Sequence, residues 1–364
     1  MFRVIDLAAL SLAAMANGCA GNAASVEGGK ILSIDVGDRP RAIAVADLDG
    51  DNRADIAVAN ADGDSVTILL RSAEADTFVR TDYPAGNEPS DVELGDFDRD
   101  GDLDAAFANH ETSMVTVLLN DGRGAFAPAP SSPYDTQARP HLHGLAVGDF
   151  DGDGWLDIAA DSSDSDLVVV LRGGPSGFRR GQPFDAGLFP YYRIASLLAP
   201  GGTDILVPSP RANRVSRIAP RRSASSAPIV VGDATGAMMV IAADLDGAGE
   251  DDVVATIDGG VAMWRAEGGS YRPLEGTPAP FDTPTEIASG DIDGDGRDEV
   301  AVGLWEDDRV HVIGSDGKVR GSIEACYRPA ALAVADLDDD GRAEIVAGCW
   351  NEAKIMILHP KSLD

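Results

Sequence analysis

Residues 149–157 read Asp-Phe-Asp-Gly-Asp-Gly-Trp-Leu-Asp and place carboxylates at the first, third, fifth and ninth positions of one loop. Crowded carboxylates repel one another unless a cation lies between them, and hard oxygen ligands at alternate positions suit Ca²⁺. One apolar run, residues 144–147, leads into the loop, and another, residues 158–160, leads out of it. The stretch therefore predicts two short strands joined by a calcium-binding loop.

The same loop returns along the chain. The intervals between the first aspartates of the copies are 49, 53, 95, 47 and 45 residues, so the double interval contains one further unit. Residues 194–207 fit that unit, in which Asp204 alone keeps a loop carboxylate. The sequence therefore predicts seven units, six of which have a recognisable loop, beginning at Asp47, Asp96, Asp149, Asp244, Asp291 and Asp336.

Each unit has the same order of short β-rich runs. One run precedes the loop, one follows it, a third comes after a polar turn, and a fourth is less regular, as at residues 42–46, 56–60, 65–70 and 78–84. No helical period of useful length interrupts these runs. Four strands every 45 to 50 residues, repeated seven times, predict an all-β fold, a seven-bladed β-propeller of four-stranded blades.

The two ends of the chain complement each other. The last unit stops after its third strand, residues 354–358, and a spare strand precedes the first unit at residues 30–36. We expect this N-terminal strand to close the last blade, because an unpaired sheet edge invites aggregation. Residues 30–364 would then form one propeller domain, and a frayed N-terminus is the alternative.

The charge of the chain is strongly negative. It has 61 acidic and 29 basic residues among 364, a formal charge of −32. Such acidity opposes binding to nucleic acid, whose phosphates it repels. A hydrophobic fraction of 44% is ample for a folded core. The excess acid is either a solvated surface or, as we expect, a set of cation ligands.

The first residues have the pattern of an export signal. Arg3 precedes an apolar run at residues 7–16, which is too short for a mature transmembrane helix. The following Gly18-Cys19 resembles a bacterial lipoprotein cleavage site. We therefore predict a signal peptide at residues 1–18, a lipidated Cys19 and a tether at residues 19–29, which would place the protein on an outer membrane or cell surface. Periplasmic location or plain secretion is the alternative.

Two cysteines remain beyond Cys19. Cys326 lies just before the first strand of the last unit, and Cys349 lies at the far end of its second strand. These strands should be antiparallel neighbours, so a disulfide between the two residues is expected in an oxidising compartment. Two small buried hydrophobic side chains are the alternative.

The repeated loop, preceded by Ala-Val-Gly-Asp-Phe and followed by Asp-Ile-Ala, resembles the FG-GAP or VCBS repeat family. The turn Asn-Asp-Gly-Arg-Gly-Ala-Phe at residues 120–126 is also similar to a recurring turn of that family. The resemblance covers roughly residues 30 to 360. It implies a propeller like the head of an integrin α-subunit, with several structural Ca²⁺ ions held between the first and second strands of the blades.

The resemblance also implies the metal ligands. Residues at the seventh loop position would contribute a backbone carbonyl, and the loop that begins at Asp244 should be weaker or empty because Ala248 stands at its fifth position. The implied set is Asp47, Asp49, Asp51, Arg53, Asp55, Asp96, Asp98, Asp100, Asp102, Asp104, Asp149, Asp151, Asp153, Trp155, Asp157, Asp244, Asp246, Asp252, Asp291, Asp293, Asp295, Arg297, Glu299, Asp336, Asp338, Asp340, Arg342 and Glu344.

Catalytic motifs are scarce. The sequence contains no phosphate-binding glycine loop, no His-Glu-x-x-His and no Gly-x-Ser-x-Gly. Strand alternation would put His141 and His143 on one face, where a transition-metal pair is conceivable and a polar loop between blades is the plainer interpretation. The candidate residues for a ligand-binding face are Arg139, His141, His143, Tyr191, Tyr192 and Arg193.

Two functional hypotheses follow. The first is a non-catalytic scaffold at the cell surface that binds a protein or a glycan on one face of the propeller. The second is a polysaccharide-active enzyme of the lyase type, and a lectin on the same repeat is a related possibility. Fold alone does not choose among them, because specificity depends on loop geometry.

Overall fold

The computed structural model describes residues 28–74, 76–199, 201–221 and 227–360. Within these residues the chain forms seven antiparallel sheets in chain order, with two short 3₁₀ turns at Ser163–Ser165 and Pro210–Ala212. The first strands of neighbouring blades contact one another around the ring, including those of the last and first blades. The fold is therefore all-β, a seven-bladed β-propeller, as the sequence predicted.

The strands of blades 1 to 4 follow the predicted order from the centre outwards. The outer strand of blades 2 and 3 is divided into two short segments, both paired with the third strand. The bounds are Pro40–Ala46, Asp55–Asn60, Ser65–Arg71 and Phe78–Pro84 in blade 1; Pro89–Gly95, Asp104–Asn109, Met114–Asn120, Phe126–Pro128 and Tyr134–Asp135 in blade 2; Leu145–Gly148, Asp157–Ser162, Leu167–Arg172, Arg179–Arg180 and Phe184–Asp185 in blade 3; and Ala195–Ala199, Gly202–Ser209, Arg214–Ile218 and Ile229–Asp233 in blade 4.

Blades 5 to 7 complete the ring. The bounds are Val240–Ala243, Asp252–Ile257, Gly260–Glu267, Ser270–Pro273 and Ala279–Pro280 in blade 5; Pro284–Gly290, Glu299–Leu304, Arg309–Ile313 and Val319–Glu324 in blade 6; and Pro329–Ala335, Glu344–Cys349, Lys354–Pro360 and Gly28–Asp35 in blade 7. The unit hidden in the double interval is thus blade 4, which keeps its strands although its loop has lost most of its carboxylates.

Closure by the N-terminal strand is confirmed. Gly28–Asp35 pairs antiparallel with Lys354–Pro360, with Ile34 opposite Ile355 and Leu32 opposite Ile357. Val36, just after the strand, is buried between blades 7 and 1. The first and last parts of the described chain therefore share one sheet, which leaves no unpaired gap in the ring.

The core consists of seven apolar clusters, one between each pair of adjacent blades in the described chain. The second strands, such as Asp55–Asn60 and Asp104–Asn109, are buried along their whole length because a neighbouring blade covers each face. This explains why they read as continuous apolar runs rather than as alternating ones.

Cys326 and Cys349 form a disulfide, with their Cα atoms 5.6 Å apart. No helix among the described residues is long and apolar enough to cross a membrane. The predicted signal peptide, Cys19 and all but the last two residues of the tether, residues 28 and 29, lie outside the described residues.

Candidate functional site

The acidic loops all lie at one end of the propeller, where each first strand turns into the second. Their first aspartate folds the loop by accepting backbone hydrogen bonds: Asp47 accepts from Gly50 and Asn52, both at 2.8 Å. Asn52, at the sixth position, has a φ of 65°, the left-handed conformation that asparagine tolerates better than most residues. Asn52 therefore takes the place of the glycine that the other five acidic loops have at this position.

The ninth-position carboxylate is buried and ties the loop to the blade. Asp55 accepts a hydrogen bond from the backbone of Leu48 at 2.8 Å and another from Arg71 at 2.7 Å. The equivalent bond to the loop backbone recurs in six blades, with Asp55, Asp104, Asp157, Asp252, Glu299 and Glu344 as acceptors. Glutamate therefore keeps the same backbone contact as aspartate, in spite of its longer side chain.

Burial makes these carboxylates costly to ionise. Burial, followed by the charges of the other loop aspartates, raises the pKa of Asp55 and of Asp104 to about 6. The same causes raise the pKa of Glu299 and Glu344 to about 7. Ionisation of these buried carboxylates is thus unfavourable, and a cation bound between them would make it less so.

The donor set fits a hard divalent cation. Carboxylates at the first, third and ninth positions offer oxygens within 4.8 Å of one another, as in Asp47, Asp49 and Asp55. In five loops the seventh residue donates its own N–H to the fifth-position carboxylate, for instance Trp155 to Asp153 at 2.8 Å. The predicted carbonyl ligation by Arg53, Asp102, Trp155, Arg297 and Arg342 stays a prediction.

Sequence reasoning missed a set of basic side chains that reach these loops from the third strand. Arg172 of blade 3 lies 2.6 Å from Asp157, Arg265 of blade 5 lies 3.2 Å from Asp252, and His359 of blade 7 lies 3.1 Å from Glu344. The three side chains occupy the same position of the third strand. Each comes directly after the residue that pairs with the first apolar residue of the second strand, as Arg172 comes after Leu171, which pairs with Ile158. Alignment of the third strands would have revealed this shared position.

The predicted ligand-binding residues lie at the opposite end of the first strands. The ring of His143 is 4.5 Å from that of Tyr191 and 6.4 Å from that of Tyr192. His143 is 6% exposed, and its backbone N–H donates to Asp161 at 2.8 Å. The structure thus brings the histidines of the connection between blades 2 and 3 together with the tyrosines of the connection between blades 3 and 4.

Two details of the prediction differ. His141 and His143 precede the first strand of blade 3 rather than occupying it, and His141 has a φ of 75°, so strand alternation does not apply. Arg139 is exposed in the same connection, and no ring contact or ion pair joins it to the cluster in the described part of the chain. His110, which the sequence did not single out, contacts both histidines with ring centroids 4.9 Å away.

Arg193 lies at the centre of the ring. Its guanidinium donates to Glu286 at 2.8 Å and faces Asp91 and Arg41 across a small cavity. Burial lowers the pKa of Arg193, but the charges of Glu286 and Asp91 outweigh burial and raise it. Charged residues from blades 1, 2, 4 and 6 thus meet in the middle of the propeller. These residues are far apart in the sequence, and the fold brings them into contact.

Aromatic rings and arginines continue from this centre across the same face. Arg41 lies 4.2 Å from the ring of Tyr192 and 5.6 Å from that of Trp350. Trp350 contacts Trp305 with ring centroids 5.6 Å apart, and Arg328 stacks on Trp305 at 4.4 Å. We call this set the ring-lined face; it comprises His110, His141, His143, Phe189, Tyr191, Tyr192, Trp305, Trp350, Arg39, Arg41, Arg211 and Arg328.

Trp264 does not belong to this face and is a core residue. Trp264 is 3% exposed and packs in the cluster between blades 4 and 5. Its role is packing. Trp305 and Trp350 are half-buried and belong to the ring-lined face.

Comparison with known structures agrees with the propeller architecture. The crystal structure of BBS1N in complex with ARL6DN, soaked with lead, has 12% identity and a TM-score of 0.62, covering 93% of this chain and 98% of that one. The mercury-soaked crystal has 13% identity and a TM-score of 0.63, covering 93% and 99%. A lectin from Agrocybe aegerita that recognises non-reducing terminal N-acetylglucosamine has 18% identity and a TM-score of 0.56, covering 90% and 86%.

These identities show a shared fold and nothing more. No curated protein sequence matches the chain. A family model described as an FG-GAP-like repeat matches residues 47–107, 96–160 and 244–302, which include the acidic loops of blades 1, 2, 3, 5 and 6. The chain is therefore a seven-bladed β-propeller with three FG-GAP-like repeats.

Proposed function

We propose that the protein is an exported, calcium-stabilised scaffold that binds a ligand on its ring-lined face without transforming it. A propeller with FG-GAP-like repeats is consistent with a binding scaffold. The observation that carries the proposal is the continuous set of rings and arginines around the centre of the propeller, at the end of the blades away from the acidic loops.

The calcium part of the proposal rests on the donor chemistry of the loops. Blades 1, 2, 3, 6 and 7 keep aspartates at the first, third and fifth positions and a buried carboxylate at the ninth. Bound Ca²⁺ would supply the missing positive charge and tie the first strand to the second, so binding free energy becomes folding free energy. The role of the ions is thus structural.

The face suits a glycan better than a flat protein surface. Tyr191 stacks on Phe189 with an angle of 11° between the rings, and half-buried aromatic rings offer the flat apolar surface on which a sugar ring packs. Arg41 and Arg211 add guanidinium groups that bind carboxylates in a bidentate manner. We therefore favour an acidic glycan as ligand, and a protein ligand is the alternative.

Catalysis on this face has less support. Burial raises the pKa of the Tyr192 phenol, so the phenol stays protonated and does not serve as a base near neutral pH. His143 is buried beside Asp161, with 3.4 Å between Nδ1 and the carboxylate. A lyase needs an accessible base beside the substrate, and neither side chain meets that need.

Export is proposed from the leader pattern, and the disulfide supports it. Disulfides persist in oxidising compartments and are rare in the cytosol of most organisms. We propose that residues 1–18 are removed and that Cys19 carries the lipid anchor, which would be the protein's link to a membrane. Mass spectrometry of the mature N-terminus tests this point, and an unprocessed Met1 would contradict it.

A glycan array with neutral, sulfated and uronate-containing glycans tests the ligand. We expect binding to acidic glycans, and Trp350→Ala should weaken it roughly fivefold or more, because a stacking or cation–π contact contributes about 1 kcal/mol. Tyr271→Ala is the matched control, since that ring lies beside Arg217, outside the ring-lined face. Binding to no glycan would favour a protein ligand, and release of an ultraviolet-absorbing unsaturated uronate would replace the scaffold by a lyase.

Elemental analysis and thermal unfolding test the calcium. We expect several Ca²⁺ ions per purified chain and a lower unfolding temperature after chelation. Unchanged unfolding in chelator, together with no bound metal, would remove calcium from the proposal and leave the ligand-binding face unaffected.

A further inference from the structure

Two histidines on the ring-lined face hold ring nitrogens close together. Nε2 of His110, which directly follows the second strand of blade 2, lies 3.4 Å from Nδ1 of His141 in the connection to blade 3. Their rings meet edge to face at 72° rather than stacking. The two rings are therefore not packed flat against each other, and two of their nitrogen atoms are in contact.

The separation of the nitrogens has a direct chemical interpretation. Two imidazole nitrogens that bind one tetrahedral Zn²⁺ at about 2.0–2.1 Å are separated by about 3.4 Å, the edge of the tetrahedron. An N–H donor that bonds a single acceptor usually approaches it to about 2.9–3.0 Å. The distance of 3.4 Å between these two rings matches the metal geometry better than the hydrogen bond.

A third donor and a fixed backbone complete the arrangement. Glu111 offers a carboxylate oxygen as the third donor. One ligand atom from each of His110, Glu111 and His141 lies within 4.8 Å of the other two. The backbone N–H of His141 donates to the carbonyl of His110 at 2.8 Å, so the two residues are held together independently of their side chains. Nδ1 of His110, the ring nitrogen that does not face His141, lies 3.3 Å from Glu111 and 3.8 Å from Glu88, so a carboxylate can accept its N–H and leave Nε2 free to bind the metal.

We propose that His110, His141 and Glu111 form a binding site for a divalent transition metal, of which Zn²⁺ is the best match. Two imidazoles and one carboxylate are a donor set for borderline metals, whereas the aspartate loops offer oxygen alone. Because His141 and Glu111 are exposed, the remaining coordination position faces solvent at the ring-lined face. This site goes beyond the proposed function and does not depend on the calcium loops.

A Co²⁺ titration of the full chain, kept in excess Ca²⁺ so that the acidic loops are saturated, tests the proposal. We expect one equivalent of Co²⁺ to bind with the visible absorption of a four-coordinate ion, and Zn²⁺ to displace it. His141→Asn removes the imidazole but keeps a residue that tolerates the φ of 75°. This variant should weaken binding by at least about tenfold, as the loss of even an outer-shell partner does.

His311→Asn is the control, because that ring bonds Asp307 at 2.7 Å, apart from the proposed site. It should leave Co²⁺ binding unchanged, whereas His110→Ala should weaken it by at least about tenfold, as His141→Asn does. Thermal unfolding in Ca²⁺ checks that each variant is folded. Absence of stoichiometric Co²⁺ or Zn²⁺ binding by the wild-type protein, or binding by folded His141→Asn equal to wild type, would overturn the site.

Discussion

Nη1 of Arg172 lies 2.6 Å from Oδ2 of Asp157, the ninth-position carboxylate in the acidic loop of blade 3. The same nitrogen lies 3.6 Å from Asp151 at the third position. Blade 3 thus carries a complete set of loop carboxylates together with an internal cation directed at them. A guanidinium and a bound Ca²⁺ would compete for the same oxygens, so the six acidic loops should not bind calcium equally.

Replacing Arg172 by Leu, the residue at this position in blades 1 and 2, should strengthen calcium binding at blade 3. Removal of the guanidinium frees Asp157 and Asp151 to bind the ion. The variant should be less stable than wild type in chelator, because a buried carboxylate loses its partner, and should recover stability in Ca²⁺. Calcium titrations by calorimetry and urea unfolding in both conditions measure the two effects.

Arg179→Leu is the control for this experiment, since Arg179 is exposed on the outer strand of the same blade. It should alter neither the calcium affinity nor the response to chelator. Equal destabilisation of Arg172→Leu with and without Ca²⁺ would mean that the arginine serves packing alone.

Blade 5 has lost one ligand and gained an arginine. Ala248 stands where the other loops have their fifth-position aspartate, and Arg265 lies 2.9 Å from Asp246. The double variant Ala248→Asp with Arg265→Leu should bind one more Ca²⁺ per chain than wild type, because it restores the ligand and removes the competing cation. Elemental analysis after gel filtration counts the ions, and either single variant alone should gain less.

The pH dependence of stability should reveal the loop carboxylates once calcium is removed. Glu299 and Glu344 have pKa values raised from 4.5 to about 7 by burial and by neighbouring aspartates. Between these values the folded chain binds more protons than the unfolded chain, so stability falls as pH rises from about 4.5 to 7 and levels off above it. The lowered pKa values of His110 and His359 oppose this trend.

Urea unfolding at pH 5, 6, 7 and 8 in chelator measures how the free energy of unfolding changes with pH. Each titrating carboxyl contributes about 1.4 kcal/mol per pH unit to this slope. Excess Ca²⁺ should flatten the slope, because the ion compensates the charge of the ionised carboxylates. Glu299→Gln should reduce the slope in chelator, whereas Glu324→Gln, an exposed glutamate on the outer strand of blade 6, should not. Stability that rises with pH in chelator would refute the assignment.

The repeat determined what was predictable. Because six loops kept phase, the number of blades and the hidden fourth blade followed from the spacing of the loops, and the closing strand followed from the strand missing in the last unit. The contact of His110 with His141 and that of Arg193 with Glu286 did not follow, since each joins residues from different blades. Repeat periodicity specifies the environment of a position within its blade, but it carries no information about which side chains meet across the centre or between connections.

Removing the closing strand should destabilise the whole ring. Deletion of residues 30–36 withdraws Val36, which is 3% exposed, from the core between blades 7 and 1, a loss of about 1.5–3 kcal/mol for that side chain alone. It also exposes the edge of Lys354–Pro360, which should promote aggregation. Urea unfolding and gel filtration measure both effects. Lys30→Ala, an exposed position on the same strand, should leave both unchanged, and equal stability of the deletion would contradict closure.

The disulfide should stabilise blade 7, because a cross-link restricts the conformations open to the unfolded chain. Cys326 and Cys349 are 23 residues apart and bonded, so the cross-link closes a loop between the first two strands of blade 7. The double variant Cys326→Ala with Cys349→Ala should lower the free energy of unfolding by about 3 kcal/mol, as expected for a loop of this length. Denaturing alkylation should detect neither cysteine as a free thiol in the native protein. Stability of the double variant equal to wild type, or quantitative alkylation without a reductant, would show that the two residues act only as small buried side chains.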